Sequence, residues 1–499
     1  MKKIIIVGSG INGLVAANYL VKAGYDVTII EKKEITGGAC IKDSEIIEGK
    51  NIDFAYGATV LGMMPEFIFK ETGLSKEIVG FYPKSPKLVY FKDEEDSTKI
   101  FQNSSELEKE LKNKWGEKGR INDFRNDENK VVGFIQKLYK DAITPTIEIA
   151  YKELGKELSD LWIFGTAKDL LDHYFTSEKS KLYMGMTVIE SGPASIYDPG
   201  TAFTIPLMDS GSVFNGYWGF VKKGIWKITE ILTDINFELG VKIYLNSSIA
   251  EVDTTSKIIS FIKDDKNIRL NYDHLIFATD PVTPSKLIKD FKDDIVLDEI
   301  GTSGKVTAFF RNPVKWKDSN NYPDSFRFIF SNNSLNQFED ASQNALKNSG
   351  DYFAGFIQIY PDGSAQRTMN NKESYDKLIL FTKNLSYDKK ADDLDKIKDE
   401  IVDTVLPYIE NANDLVYSKF LTPKDLNETF FFPKGNIDHI TLTGKQNYNK
   451  RTFSDNPNNF YSYYNFSDVY YCGAGSFPCG SVAGTAGYMC SKQLIRNDH

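Results

Sequence analysis

Cysteine is scarce in this chain of 499 residues, which contains only four. Cys40, Cys472, Cys479 and Cys490 are too few and too unevenly spaced for the disulfide framework of a small secreted protein. They also lack the CxxC spacing of zinc sites and the CxxxxC spacing of a redox-active pair. The sequence therefore predicts neither a metal site nor a disulfide reductase.

An excess of basic residues is also missing, and so is a long apolar run. The formal net charge of −9 argues against a general nucleic-acid-binding protein, because neutralising phosphates requires a basic face. No apolar segment is long enough to cross a bilayer, and the opening run at residues 4–7 is too short for the apolar core of a signal peptide. We therefore expect a cytoplasmic location, with peripheral membrane contact left open.

The first thirty residues show a β-α-β pattern. Residues 3–7 form a nearly continuous apolar run, as expected for a strand covered on both faces. The motif Gly8-x-Gly10-x-x-Gly13 follows and opens a segment with apolar residues at helical spacing. Gly8 permits a tight turn, Gly10 lets the backbone approach a pyrophosphate, and Gly13 lets the helix pack closely on the strand. The helix N-terminus would then face the phosphates of a bound dinucleotide.

Two later features refine this prediction of a dinucleotide site. Glu31 stands at the end of the second strand, where a carboxylate accepts hydrogen bonds from the adenosine ribose and disfavours the 2′-phosphate of NADP. Gly37 and Gly38 would let a second backbone segment pass against the cofactor diphosphate. Because a long, buried cofactor needs this additional contact, the sequence favours FAD over NAD.

The order of patterns along the chain predicts a discontinuous α/β architecture. Helix signals prevail over residues 65–210, and the segment from 469 to 495 returns to a strand, a glycine-rich turn and a helix. Strands are predicted at residues 306–310, 326–330, 353–359 and 378–381. We predict an FAD-binding domain of the Rossmann type formed by residues 1–64, 211–300 and 440–499, and an α+β substrate-binding domain formed by residues 65–210 and 301–439.

Motifs at both ends of the chain resemble the phytoene-desaturase-like branch of the flavin amine oxidase superfamily. They are GSGINGLVAA at residues 8–17, GGA at 37–39, YCGAGSFPCG at 471–480 and GTAGY at 484–488. Between them, TPKDL at 422–426 and GNIDH at 435–439 are similar to a subgroup of that branch. That subgroup contains pyridine nucleotide-disulfide oxidoreductase domain-containing protein 2. The resemblance spans essentially the whole chain and is most specific at its two ends.

The resemblance implies a glutathione-reductase-2-like fold that holds FAD non-covalently. Gly475 and Ser476 would lie near the flavin ribityl chain and the diphosphate. The helix that starts near Val482 would point its positive end at the pyrimidine edge of the flavin, and Val252 would pack near the adenine. The full set of predicted cofactor-binding residues is Gly8, Gly10, Ile11, Asn12, Gly13, Glu31, Lys32, Gly37, Gly38, Ala39, Val252, Ala278, Thr279, Gly475, Ser476, Ser481 and Val482.

Two further residues are candidates for chemistry beside the flavin. His439 could act as a base on the substrate side of the cofactor, or it could be a structural, hydrogen-bonding histidine. Cys479 lies where the family often has glycine. Covalent thioether formation or thiol chemistry there competes with the role of a small packed side chain. A second departure, Ala39-Cys40 in place of the usual arginine, concerns the substrate class more than FAD binding.

Together these features predict an FAD-dependent oxidoreductase, a dehydrogenase or desaturase, which transfers hydride from a substrate C–H to flavin N5. The expected substrate is an apolar small molecule, isoprenoid-like or otherwise lipid-like. Three alternatives stay open: a redox-neutral flavin-dependent isomerase of polyenes, an amine oxidase, and a non-catalytic scaffold that retains FAD. The sequence shows no second GxGxxG motif to support direct reduction by NAD(P)H, and it leaves the oligomeric state open.

Overall fold

The structure is a computed structural model, and it describes residues 1–92, 94, 96–189, 194–289, 291–318, 322–331, 333–347, 352 and 354–498. The strands are β1 (Lys3–Val7), β2 (Asp26–Ile30), β3 (Lys42–Ile47), β4 (Lys50–Ala55), β5 (Gly80–Phe81), β6 (Lys87–Phe91), β7 (Thr98–Ile100), β8 (Phe220–Val221), β9 (Lys242–Tyr244), β10 (Ser248–Asp253), β11 (Ile258–Lys263), β12 (Lys266–Asn271), β13 (His274–Phe277), β14 (Gly304–Phe310), β15 (Arg327–Phe330), β16 (Phe356–Tyr360), β17 (Asp376–Thr382), β18 (Leu415–Leu421) and β19 (Val469–Tyr471). The α-helices are α1 (Ile11–Lys22), α2 (Glu66–Glu71), α3 (Ser104–Trp115), α4 (Ile121–Lys140), α5 (Ile147–Leu154), α6 (Lys156–Trp162), α7 (Ala167–Tyr174), α8 (Glu178–Gly185), α9 (Thr204–Met208), α10 (Lys227–Glu238), α11 (Thr283–Leu287), α12 (Leu335–Leu346), α13 (Asp362–Thr368), α14 (Ala391–Val405), α15 (Pro423–Phe430) and α16 (Thr485–Asp498).

A five-stranded parallel sheet in the order β19-β13-β1-β2-β9 carries the N-terminal glycine motif. β1 lies at its centre, and Ile4, Ile5, Ile6 and Val7 are all buried. A central parallel strand is covered on both faces, which explains why this run shows no polar alternation. α1 follows the glycine turn directly and packs against α10 and α16. The prediction of a Rossmann-type α/β sheet that is built from both ends of the chain is thus confirmed.

A seven-stranded sheet in the order β18-β14-β17-β16-β15-β6-β7 forms a second layer. Its pairs are antiparallel except β15–β6, which is parallel. The strands predicted from residue 306 onward are confirmed as β14 to β17, although residue 353 of the third prediction lies outside the described residues. β6 and β7 come from the segment that was predicted to be largely helical.

The two faces of this seven-stranded sheet differ in chemistry. Val306, Ala308 and Phe310 point to one face, where they pack with Ile397 and Ile401 of α14. Because side chains alternate along a strand, Lys305 points to the opposite face. On that face, Phe328 and Phe330 of β15 belong to the same buried cluster as apolar residues of the helices α3 to α9. Within the described ranges, no helix has both the length and the apolar character needed to cross a membrane.

Candidate functional site

The glycine turn has the backbone geometry that the motif predicts. Gly8 has a φ of +98°, which favours glycine because an L side chain is strained there. A Cβ atom on Gly13 would lie 2.2 Å from the Gly8 carbonyl oxygen, whereas one on Gly10 would meet nothing closer than 3.9 Å. Gly8 and Gly13 are therefore required by the fold itself, and Gly10 leaves space beside the start of α1.

The second glycine pair packs directly on this turn. The Gly37 amide donates a hydrogen bond of 3.0 Å to the Ser9 carbonyl oxygen, and Gly10 and Gly37 form a parallel bridge. A Cβ atom on Gly38 would lie 3.0 Å from the Gly10 Cα atom. The pair thus brings a second backbone segment to the turn, as the sequence suggested.

The C-terminal segment closes the other side of the turn. A Cβ atom on Gly487 would lie 2.0 Å from the Asn12 carbonyl oxygen, and one on Gly484 would lie 2.7 Å from the Val15 side chain. Helix α16 begins at Thr485, a little later than the start near Val482 expected from the resemblance. The glycines near residue 484 therefore let α16 approach α1 at backbone distance.

Glu31 lies at the end of β2 and turns its carboxylate back toward the glycine turn. Its Oε2 atom accepts hydrogen bonds from the Ser9 amide at 2.8 Å and the Ser9 hydroxyl at 2.7 Å, and Oε1 accepts one from the Lys33 amide at 2.9 Å. Three donors fix the carboxylate without saturating it, because two ionised oxygens offer about four acceptor positions. Glu31 is thus held in place with acceptor capacity to spare.

One cavity of about 610 Å³ connects these features. The predicted residues that line it are Gly8, Gly10, Ile11, Asn12, Glu31, Lys32, Gly37, Gly38, Ala39, Ala278, Thr279, Ser481, Val482 and His439. Beyond them the lining becomes apolar and aromatic, with Tyr360, Phe381, Leu421 and Phe430. The cavity therefore runs from the dinucleotide motif to the seven-stranded sheet.

Some of the predicted residues do not line this cavity. Gly13 is packed under the turn, and Val252 lies in a buried apolar cluster and bridges to Ile288. The Gly475 amide donates to the Tyr471 hydroxyl oxygen at 3.2 Å, and the Ser476 hydroxyl donates to a neighbouring carbonyl at 2.8 Å. These residues pack behind the residues that line the cavity, and their role in cofactor binding stays a prediction.

His439 lines the cavity in a buried, left-handed conformation with a φ of +66°. Burial lowers the pKa of His439 to about 4, so its imidazole is neutral at pH 7 and is a weak base. Within the described residues, its Nδ1 atom has no hydrogen-bond partner, and neither does the buried Oδ1 atom of Asn12. Buried polar atoms usually have partners, so both atoms are available to a molecule in the cavity.

Cys479 is buried and lies outside the cavity lining. Its sulfur atom is 3.8 Å from the Met63 sulfur atom. Burial raises the pKa of the Cys479 thiol well above its ordinary value, which leaves it protonated and unreactive. This geometry agrees with the packing role weighed for Cys479 and gives no support to thiol chemistry.

Lys305 is a cavity residue that the sequence reasoning did not identify. It is buried on β14, and its ammonium group donates to the carbonyl oxygens of Ala55 and Gly57, each at 2.8 Å, and to the Thr59 hydroxyl at 3.2 Å. Burial lowers the pKa of Lys305 to about 7, so it can gain or lose a proton near neutral pH. The signal in the sequence that could have identified Lys305 is its position as a lysine directly before the apolar run that begins at Val306.

Comparisons with known proteins agree with this geometry. The sequence profile of the NAD(P)-binding Rossmann-like domain matches residues 6–66. The chain is 21% identical to a 4,4′-diaponeurosporene oxygenase of Staphylococcus haemolyticus, over 89% of this chain and 88% of that protein. It is 25% identical to a 4,4′-diapophytoene desaturase of Staphylococcus aureus, over 58% of this chain and 57% of that protein.

A solved structure shows the same fold over the full length. Cyclohexylamine oxidase from Brevibacterium oxydans matches with a TM-score of 0.61 and 13% identity, and the match covers 100% of both chains. The resemblance to phytoene-desaturase-like oxidoreductases predicted from the sequence is therefore confirmed by the curated relatives, and the solved structure confirms the fold. The chain is thus similar to desaturases and oxygenases of diapo-carotenoids, and its N-terminal part matches a dinucleotide-binding domain of the Rossmann type.

Proposed function

We propose that the protein is an FAD-dependent dehydrogenase or desaturase that oxidises an apolar, isoprenoid-like chain. The observation that carries the proposal is the single cavity with a dinucleotide motif at one end and a buried lysine among aromatic side chains at the other. Cofactor and substrate sites that share one cavity are what direct hydride transfer requires. The relatives named as a desaturase and an oxygenase of diapo-carotenoids support an isoprenoid-like substrate.

The residues around the glycine turn suit FAD. Glu31 would accept from the ribose hydroxyls, while the space beside Gly10 and the N-terminus of α1 would receive the diphosphate. The Asn12 Oδ1 and His439 Nδ1 atoms have no hydrogen-bond partner among the described residues, and they offer acceptors further along the cavity. When bound, FAD would supply the acceptor for a hydride from the substrate C–H.

Lys305 is the residue best placed to handle the proton that accompanies this hydride. Forming a C=C bond removes one hydride and one proton from adjacent carbons of the substrate. With a pKa of about 7, the neutral amine can accept that proton, and its three oxygen partners then stabilise the ammonium form. The apolar walls at Tyr360 and Phe381 would hold the chain and exclude water.

Spectroscopy of the purified protein tests the proposal. We expect a bound flavin that is released as intact FAD on denaturation, because the Cys479 thiol, the group weighed for covalent attachment, is buried outside the cavity lining. Photoreduced protein should reoxidise rapidly with oxygen or a quinone. Protein that neither contains FAD nor acquires it on incubation would contradict the proposal, and a bound flavin that resists reduction would favour the scaffold alternative.

A further inference from the structure

A buried arginine lies behind the part of the cavity wall that the C-terminal segment forms. Arg451 is fully buried, and so is Asp438. The guanidinium group of Arg451 donates to the carbonyl oxygens of Asp438 and Ala474, each at 2.9 Å. It also donates to the Gln446 carbonyl oxygen at 3.1 Å. One side chain thus joins the stretch that begins at residue 438 to the C-terminal segment.

Asp438 makes a second link between the same two stretches of chain. Its Oδ1 atom accepts a hydrogen bond of 2.8 Å from the Gly480 amide. A Cβ atom on Gly480 would lie 2.7 Å from that oxygen atom, so the approach requires a residue without a side chain. Burial lowers the pKa of Arg451, and the nearby charge of Asp438 opposes this effect. The two residues therefore act together, and we call them the Arg451–Asp438 pair.

The links made by the Arg451–Asp438 pair end on residues that line the cavity. Ala474 and Gly480 belong to the lining, and so do Ile437 and His439, which flank Asp438 in the chain. The pair itself is packed behind these residues and does not line the cavity. It is thus placed to fix the shape of this wall without touching a molecule bound in the cavity.

The wall that follows Gly480 has a strained backbone. Ser481 and Val482 both have a φ of +57°, in the left-handed region that residues other than glycine rarely adopt. The β-branched side chain makes this conformation especially unusual for Val482. Such strain persists only where the surrounding structure holds it, and it is concentrated at sites that bind ligands. Both residues line the cavity, which indicates that their conformation serves a bound molecule.

The strained segment is held at both of its ends. Toward the C-terminus, Gly487 of α16 packs on the backbone of Asn12 in α1, where a Cβ atom would lie 2.0 Å from the Asn12 carbonyl oxygen. Toward the N-terminus, the Asp438 carboxylate holds the Gly480 amide. The packing of two helices fixes the first end, whereas the Arg451–Asp438 pair fixes the second.

We propose that the Arg451–Asp438 pair is a positioning unit that keeps the strained wall at residues 480–482 in place to receive FAD. The inference rests on the proposed function, because it concerns how this protein binds its flavin. Without the pair, the wall would relax to an ordinary backbone conformation in the flavin-free protein, and FAD binding would have to restore the strain. Holding a site in its bound conformation beforehand improves affinity by reducing this cost.

Titration of the flavin-free protein with FAD tests this inference in two backgrounds. Arg451→Lys keeps the positive charge but loses the planar group that joins several carbonyl oxygens. We expect the Kd for FAD to rise about 10-fold, which corresponds to about 1.4 kcal/mol. In Val482→Gly the left-handed conformation carries no strain, so the same arginine substitution in that background should raise the Kd by about twofold or less. A merely structural role for Arg451 predicts equal increases in the two backgrounds.

Arg327→Lys is the matched control. Arg327 is also fully buried, and its guanidinium group donates to the carbonyl oxygens of Ser325 at 3.0 Å and Tyr322 at 3.1 Å. It lies on β15 and packs on the ring of Trp316, which belongs to the cluster on the sheet face opposite Lys305. Its replacement should lower the melting temperature and leave the Kd for FAD unchanged.

Asp438→Asn gives a second test, which leaves the buried guanidinium group in place and decides the question if Arg451→Lys does not fold. An amide oxygen can still accept from Gly480, but the bond is weaker without the charge, so we expect the Kd for FAD to rise about threefold. Val482→Gly should again remove the increase. Unchanged Kd values in both variants, or increases that Val482→Gly does not reduce, would overturn the inference and leave the proposed function intact. Wild-type protein that does not bind FAD would contradict the proposed function first.

Discussion

The two ends of the cavity are built in different ways. At the dinucleotide end, backbone atoms of Gly8, Gly10 and Gly37 form the wall, and a side chain at Gly13 would meet a carbonyl oxygen. At the other end, side chains from several strands of the seven-stranded sheet form the wall, and Lys305 carries its ionisable group. Backbone walls tolerate almost no change, whereas side-chain walls can be altered and still leave a cavity. We therefore expect the dinucleotide end to determine whether a cofactor binds, and the end that carries Lys305 to determine which reaction follows.

The largest effect is expected at Gly13. In Gly13→Ala the new Cβ atom would meet the Gly8 carbonyl oxygen at 2.2 Å, and neither backbone segment can move without opening the turn. We expect loss of FAD binding, measured by flavin content after purification. Gly133→Ala is the control, because this exposed glycine within α4 has no neighbour within 4 Å, and alanine there should raise stability by about 0.5–1 kcal/mol. A Gly13→Ala protein that retains FAD would refute the distinction between the two ends.

Lys305→Met should show most clearly that the two ends of the cavity have different roles. FAD content should stay unchanged, while kcat falls by about 10²–10⁴-fold, the usual contribution of a proton-transferring group. In the wild type, activity should increase as pH rises through about 7, because the neutral amine is the form that accepts a proton. That limb of the pH profile should disappear in the variant.

Lys419→Met is the matched control for this experiment. Lys419 lies on the neighbouring strand β18 and pairs with Glu45 at 2.7 Å, outside the cavity lining. Its replacement should leave both kcat and the pH profile in place. If Lys305→Met showed the same pH profile as the wild type, another group would have to take the proton.

A smaller effect is expected for Glu31→Gln, at the dinucleotide end. The amide would keep the shape of the side chain but lose the charge that holds the Ser9 donors and would attract the ribose hydroxyls. We expect the Kd for FAD to rise about 10-fold, measured by titration of apoprotein, since one charge-assisted contact contributes about 1.4 kcal/mol. Glu34→Gln, in the exposed loop that follows, should have no effect on the Kd.

The smallest effect is expected for Cys479→Ala. The thiol is buried against Met63 and does not line the cavity, so FAD affinity and turnover should match the wild type. Loss of the buried sulfur should lower the free energy of unfolding by about 1 kcal/mol, measured by chemical denaturation. Flavin that stays attached to the denatured wild-type chain but not to this variant would show that Cys479 forms a covalent bond after all.

The sequence allowed the dinucleotide end to be predicted because its constraints are local. Gly8, Gly10, Gly13 and Glu31 lie within one β-α-β unit, and their spacing alone indicates a turn, a helix and a strand end. The meeting of this unit with the last helix also followed from the glycines near residue 484.

Lys305 could not be found in the same way, because its role depends on partners far away in the sequence. Its oxygen partners are at Ala55, Gly57 and Thr59, and its place in the cavity requires the pairing of β14 with β17. For the same reason β6 escaped prediction as a sheet strand, since its partner β15 lies far downstream.

The backbone contact between Asn12 and Gly487 has a consequence for synthesis of the protein. These residues are at opposite ends of the sequence, so the ribosome makes the glycine turn roughly half a minute or more before the segment that covers it, at about 5–20 residues per second. During that interval the growing chain carries an exposed glycine turn with no closed pocket around it. A pocket at this turn can therefore close only after the segment that contains Gly487 has been synthesised.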